Sequence, residues 1–256
     1  MRIKIINPNT TQAMTDTIGD CARKFARPGT EIVSVSPSFG PASIESFVDE
    51  FVSACGVLDE IKKGDANENI DAYIIACYGD PGLQAARELT EKPVIGIAEA
   101  SLYMASMLAA RFSIVTIIPR ARTLMEEMVR GYGMEHRVIS IRTLPLYVLD
   151  VEKDPEGSFD KIREGARLAV KEDNAEAICL GCAGFAEFAQ SIEDELGVPV
   201  LDGVVCATKQ AEVMVELGKR TSKRMTYRPP EQKTYTGMFA HFSSDKPSSK
   251  RKAAAE

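Results

Sequence analysis

Ala72-Tyr73-Ile74-Ile75-Ala76-Cys77 is an apolar run that ends on a thiol and passes directly into Tyr78-Gly79-Asp80-Pro81-Gly82. Apolar residues at nearly every position mark a parallel strand covered on both faces, and the Gly/Asp/Pro segment behind it reads as a turn. The pattern returns 105 residues later as Ala177-Ile178-Cys179-Leu180-Gly181-Cys182, again ending on a cysteine and followed by Ala183-Gly184. Working outward, Ile32-Val33-Ser34-Val35 returns as Val138-Ile139-Ser140-Ile141, and Pro93-Val94-Ile95 as Pro199-Val200-Leu201, both at an offset of 106. The opening strand, Ile3 to Ile6 with its Asn7-Pro8-Asn9 turn, has a counterpart in Phe112 to Ile118 with Pro119. Landmarks at so constant an offset imply two similar halves in one chain.

Helical segments separate these strands: residues 11–26, 44–63 with a stop at Gly64, Leu83 to Glu91, and a small-residue-rich stretch through Ala110. Such alternation implies parallel sheets covered by helices. The expected architecture is α/β, with two pseudo-symmetric parallel-sheet halves and the site in the cleft between them. The halves are expected at 1–98 plus about 211–242, the last segment crossing back onto the first half, and at 99–210. The Lys/Arg-rich tail, 243–256, is expected to be disordered.

The chain has 256 residues, of which 45% are hydrophobic and 27% charged, enough to build a substantial core. A net charge of −6 provides no overall positive field for nucleic acid. No apolar run approaches the ~20 residues of a membrane span, and the N-terminus is unlike a secretory signal; a cytoplasmic protein is expected. Six cysteines in such a setting argue against a disulfide framework. The two histidines, His136 and His241, lie far from any cysteine and from each other, so no zinc spacing is present. No metal and no cofactor are expected, which leaves the chemistry to thiols, carboxylates, hydroxyls and backbone.

In open parallel sheets, ligands bind beyond the carboxyl ends of the strands. Cys77 and Cys182 both fall there, each ahead of a helix whose N-terminus is expected to lower the thiol pKa. Gly79, Gly82, Gly181 and Gly184 let backbone approach a small ligand. Two equivalent thiols facing one molecule suit a particular reaction: one sulfur removes a proton from a carbon stereocentre and the other returns a proton to the opposite face. Racemisation or epimerisation without a cofactor results. Cys21, Cys55, Cys179 and Cys206 read as small buried hydrophobes. The pair Cys179/Cys182 forms a C-x-x-C, but Cys179 lies inside an apolar strand and lacks a redox context.

Asn9 is expected to touch the ligand; Asn7 reads equally well as a turn residue. Ser43, Ile44 and Thr116 are further candidates from the loops at the strand ends. Glu45 and Glu99 are candidates for orienting protons, and Asp80 is expected to cap the helix that follows it.

At these residues the sequence resembles the aspartate/glutamate racemase superfamily and, within it, the hydantoin and allantoin racemase branch. The resemblance runs from about Ile3 to Phe242 and rests on Ile6-Asn7-Pro8-Asn9-Thr10, Ala76-Cys77-Tyr78-Gly79-Asp80-Pro81-Gly82-Leu83, Pro93 to Ala100, Arg111 to Thr116 and Leu180-Gly181-Cys182-Ala183-Gly184. It implies that Cys77 and Cys182 are an acid/base pair acting on a five-membered cyclic diamide, in a homo-oligomer. The aspartate and glutamate racemases carry Cys-Asn-Thr and Cys-Thr-His around their thiols. Cys77-Tyr78-Gly79 and Cys182-Ala183-Gly184 depart from this, favouring a neutral ring held largely by backbone. The stretches Leu217 to Lys223 and Pro230 to Gly237 look more like the allantoin enzymes. A decarboxylase or cis-trans isomerase of the same superfamily, using one cysteine, and a non-catalytic small-molecule binder are the competing readings.

Overall fold

β-Branched runs and small-residue helices alternate along the chain as the periodicity predicts. The computed structural model describes residues 1–183 and 185–243. Gly184 and residues 244–256, which hold nearly all of the expected tail, lie outside the described part. In chain order come β1 (Arg2–Ile6), α1 (Gln12–Phe25), β2 (Glu31–Val35), α2 (Phe47–Asn67), β3 (Ala72–Ile75), α3 (Leu83–Leu89), β4 (Val94–Gly96) and α4 (Ile97–Leu108). They are followed by β5 (Phe112–Ile117), α5 (Arg122–Gly131), β6 (Val138–Leu144), α6 (Asp150–Lys153), α7 (Pro155–Asp173), β7 (Ile178–Leu180), α8 (Ala186–Leu196), β8 (Val200–Asp202) and α9 (Gly203–Glu216).

The strands form two parallel four-stranded sheets, ordered β2-β1-β3-β4 and β6-β5-β7-β8. The two orders are identical once the repeated segments are matched, so the halves share one topology. Each order reverses between its first strand and the next one inserted, β1 and β3 in one half and β5 and β7 in the other. Connections leave those neighbours in opposite directions, and a crevice opens at their carboxyl ends.

Period-two alternation assigns each strand face to a different core. Ile3, Ile5, Ala72 and Ile74 meet Phe112, Ile114 and Cys179 in a central core shared by both halves. Ile6, Tyr73 and Ile75 face an outer layer with Val57 and Ile61 of α2, and Val115, Ile178 and Leu180 face another with Ile162 and Ala166 of α7. The helices after the last strands knit the halves together: α4 packs on α9 and reaches β7 and β8, while α9 lies on α1, β3 and β4. Beyond α9 the chain runs over α3, where Thr221 N–H donates to the Glu91 carbonyl at 2.8 Å and Lys223 Nζ to the Arg87 carbonyl at 2.5 Å. Among the described residues, no helix is long and apolar enough to cross a membrane.

The predicted stop at Gly64 gives way to a helix that continues to Asn67. Here glycine answers a packing demand, since a Cβ on Gly64 would stand 2.6 Å from the Tyr73 hydroxyl. Lys4 is fully buried between isoleucines of β1, and its ammonium is held by Glu60 at 3.0 Å and Glu68 at 2.9 Å. A buried charge is tolerable only when paired in this way.

Candidate active site

The carboxyl ends of β1, β3, β5 and β7 converge on one cavity of about 270 Å³. Its volume suits a small ring rather than a dinucleotide. Cys77 and Cys182 both line it, each just past the end of its strand, together with Asn9, Ile44, Tyr78, Gly79, Thr116 and Ala183. Ser43 is not among the lining residues, and Gly184 lies outside the described residues. Asn7, read from sequence as turn residue or ligand contact, lines the cavity too.

β1 delivers its loop through a network of side-chain amides. Asn7 Nδ2 donates to Asn9 Oδ1 and to Thr15 Oγ1, both at 2.9 Å, and Asn9 Oδ1 also accepts the Thr11 N–H at 2.9 Å. Asn7 thereby fastens the loop to α1. Asn9 Nδ2 meets the sulfur of Met14 at 3.4 Å, a weak acceptor that leaves donor capacity for a ligand carbonyl. In the second half, the Thr116 hydroxyl donates to the Gly181 carbonyl at 2.7 Å and fixes the residue before Cys182. Gly181 has a steric reason as well, because a Cβ there would lie 2.5 Å from Thr116 Cβ. Ile118 holds φ +62°, a left-handed conformation costly for a β-branched side chain. Its N–H is retained by the Leu144 and Leu146 carbonyls at 3.0 and 3.1 Å.

Cys77 does not sit on a helix N-terminus. The Tyr78–Gly82 turn separates it from Leu83, where α3 begins, and Gly82 closes that turn in the left-handed region at φ +76°. The expected fall in thiol pKa is therefore replaced by a rise. Burial pushes Cys77 up to about 12, the Gly79 N–H acts against this, and the charges of Glu50, Cys182 and Asp80 add to it. Mutual repulsion between Cys77 and Cys182 favours one thiolate per pair over two.

Asp80 caps a different helix from the one expected. Its carboxylate accepts the Ala98 N–H at 3.1 Å and the Glu99 N–H at 2.9 Å in the first turn of α4, and the hydroxyl of Tyr132, the residue that follows α5, at 2.6 Å. Burial raises it to about 7, against the lowering effect of these three donors. Glu99 is committed to Arg87 through two hydrogen bonds, at 3.0 and 2.5 Å, and does not line the cavity. Glu45 does line it, and its Oε1 accepts the Val148 N–H at 3.1 Å, tying the two halves across the mouth. The Tyr78 hydroxyl pairs with Ser101 Oγ at 2.8 Å within the central core, so its polar end is already committed there. Cys179 is buried in that core, its thiol against the Ser101 carbonyl at 3.8 Å, so the two cysteines of the C-x-x-C occupy different environments.

Glu50, on α2, has no place in the sequence reading. It lines the cavity, and a Cβ on Gly79 would stand 3.4 Å from its carboxyl carbon. Burial, then the charges of Asp80 and Glu127, raise it to about 7. An acidic residue in the first turns of a helix ordinarily reads as solvated compensation for the helix dipole, and nothing local distinguishes this one.

The family model described as Asp/Glu/Hydantoin racemase matches residues 3–211. A hydantoin racemase of Pseudomonas sp. (strain NS671) is 60% identical over 242 residues, covering 94% of this chain and 97% of that protein. Among solved structures, the allantoin racemase from Klebsiella pneumoniae superposes with a TM-score of 0.92 at 46% identity, covering 95% of this chain and 99% of that one. The allantoin racemase from Pseudomonas fluorescens gives 0.89 at 40% identity, over 93% and 100%.

Proposed function

The chain belongs to the Asp/Glu/hydantoin racemase family and is an isomerase of that type; from this premise we propose that it racemises allantoin, or a closely related 5-substituted hydantoin, at C5 with Cys77 and Cys182 as the two acid/base groups and no cofactor. The observation that carries the reading is that both thiol residues, from equivalent positions of the two halves, line one small cavity. The relatives at 60% and 46% identity support racemisation over decarboxylation or cis-trans isomerisation.

In the proposed cycle the ring lies between the two sulfurs. One enantiomer presents its C5–H bond to Cys77, whose thiolate takes the proton while the bonding electron pair passes into the adjacent carbonyl as an enolate. The thiol of Cys182 then delivers its proton to the opposite face of C5. The pair ends with thiolate and thiol exchanged, ready for the other enantiomer. Asn9 Nδ2 and backbone N–H groups near the cysteines stabilise the oxygen charge that develops. Catalysis begins from the form with a single thiolate, which the repulsion between the sulfurs favours.

The test is to make Cys77→Ser and Cys182→Ser separately and follow the optical signal of each allantoin enantiomer in heavy water. Racemisation is expected to be lost in both variants, while deuterium enters one enantiomer only, a different one in each. Full racemisation by either variant overturns the mechanism.

A further inference from the structure

The polar side chains around the cavity are mostly committed. Asn7 holds Asn9 and Thr15, Thr116 holds the Gly181 carbonyl, and Glu45 accepts the Val148 N–H. Glu50 differs: its Oε2 is buried and has no hydrogen-bond partner among the described residues. A buried carboxylate oxygen is unfavourable until a donor reaches it. The carboxyl packs against Gly79, two residues beyond Cys77, and its charge acts on the Cys77 thiol. Glu50 belongs to the first turns of α2, beside the exposed Phe47 and Phe51, and it also borders the neighbouring depression that holds Gly82 and Tyr132. The carboxyl thus stands beside the loop that follows β3, within the same lining as Cys77 and Cys182.

We infer that Glu50 is a specificity-determining residue that accepts a hydrogen bond from an N–H on the C5 substituent, so that the site prefers hydantoins with a ureido-like side chain over those with alkyl or aryl side chains. The inference rests on the cavity being the proton-transfer site proposed above. Asp80 and Glu127 act on the same carboxyl with like charge. Apolar neighbours such as Phe47 and Leu124 provide contact area but cannot tell a ureido group from an alkyl chain of similar size.

The experiment measures kcat and KM for allantoin and for 5-isopropylhydantoin with wild type, Glu50→Gln and Glu50→Ala, with thermal midpoints confirming that each variant folds. For allantoin, kcat/KM is expected to fall about tenfold to a hundredfold in Glu50→Ala, mostly through KM, as for the loss of a hydrogen bond to a charged group. Glu50→Gln, which keeps a carbonyl acceptor, should fall less. For the isopropyl compound, kcat/KM should change far less than for allantoin in the same variants. Equal losses on both compounds, or no loss on allantoin, overturn the inference. If wild type exchanges the C5 proton of neither compound in heavy water, the site reading itself fails, and the two failures are told apart.

Discussion

Replacing Gly181 by alanine tests how tightly the second thiol is positioned. The added Cβ would stand 2.5 Å from Thr116 Cβ, 2.7 Å from its Oγ1 and 3.2 Å from Ile114 Cγ2. Thr116 cannot retreat: it is 2% exposed, its hydroxyl is bound to the Gly181 carbonyl at 2.7 Å, and β5 is paired on both sides. Ordinary carbon–carbon contact is about 3.5–4.0 Å, so the Gly181–Cys182 backbone must move by about 1 Å. Overpacking of this kind costs about 1–3 kcal/mol, and losing the Thr116 hydrogen bond adds about 0.5–1.5 kcal/mol. A total of about 1.5–4.5 kcal/mol corresponds to a drop in Tm of roughly 3–18 °C for a chain of this size. A 1 Å misplacement of a reacting group costs about 100-fold in rate, so under the role proposed for Cys182 kcat should fall by that order, read from the decay of optical activity of one allantoin enantiomer. Adding Thr116→Gly reopens the space, and the double variant should recover part of kcat. Wild-type kcat and Tm in Gly181→Ala would refute the reasoning.

Three further perturbations address the frame around the site. Gly203→Ala puts a Cβ 2.8 Å from the Ile97 carbonyl oxygen at the α4–α9 contact, so urea unfolding should show a loss of about 1–3 kcal/mol with KM unchanged. Glu212 accepts the Arg27 N–H and the Thr30 hydroxyl, both at 2.8 Å, and Lys209 Nζ at 3.1 Å. Burial opposes ionisation there, but these donors prevail and hold its pKa below 4.5. Its stabilisation is therefore complete above that value and lost as pH falls through the folded-state pKa; Glu212→Ala should cost about 1–3 kcal/mol at pH 7 and progressively less in acid, and a loss independent of pH would contradict the assignment. Asp80 has the opposite sign: its folded pKa is raised from 3.8 to about 7, so the native state retains a proton that the unfolded chain has lost and stability declines as pH rises across that interval. Tyr132→Phe removes a donor that favours the charged carboxylate, and should cost about 1 kcal/mol more at pH 8 than at pH 4; equal losses in urea titrations at both pH values would count against it.

Patterns of sequence-near residues were enough to determine the strands, the repeat, the parallel sheets and the position of both thiols at strand ends. Alternation, small residues and turn chemistry act over a few positions, and a repeated pattern fixes a repeated topology. What they could not determine was which distant groups would meet. Asp80 is followed by α3 but caps α4, because β3 and β4 are neighbours in the sheet and bring the start of α4 to it. Gly64 looked like a helix stop, yet its role depends on Tyr73 lying beneath it. Lys4 interrupts an isoleucine run as a surface residue would, but α2 closes over it with Glu60 and Glu68. The rise in the Cys77 pKa and the unpartnered oxygen of Glu50 belong to the same class. Desolvation and hydrogen-bond satisfaction are sums over everything packed around an atom, and those neighbours are assembled only when the two halves and their crossing helices come together.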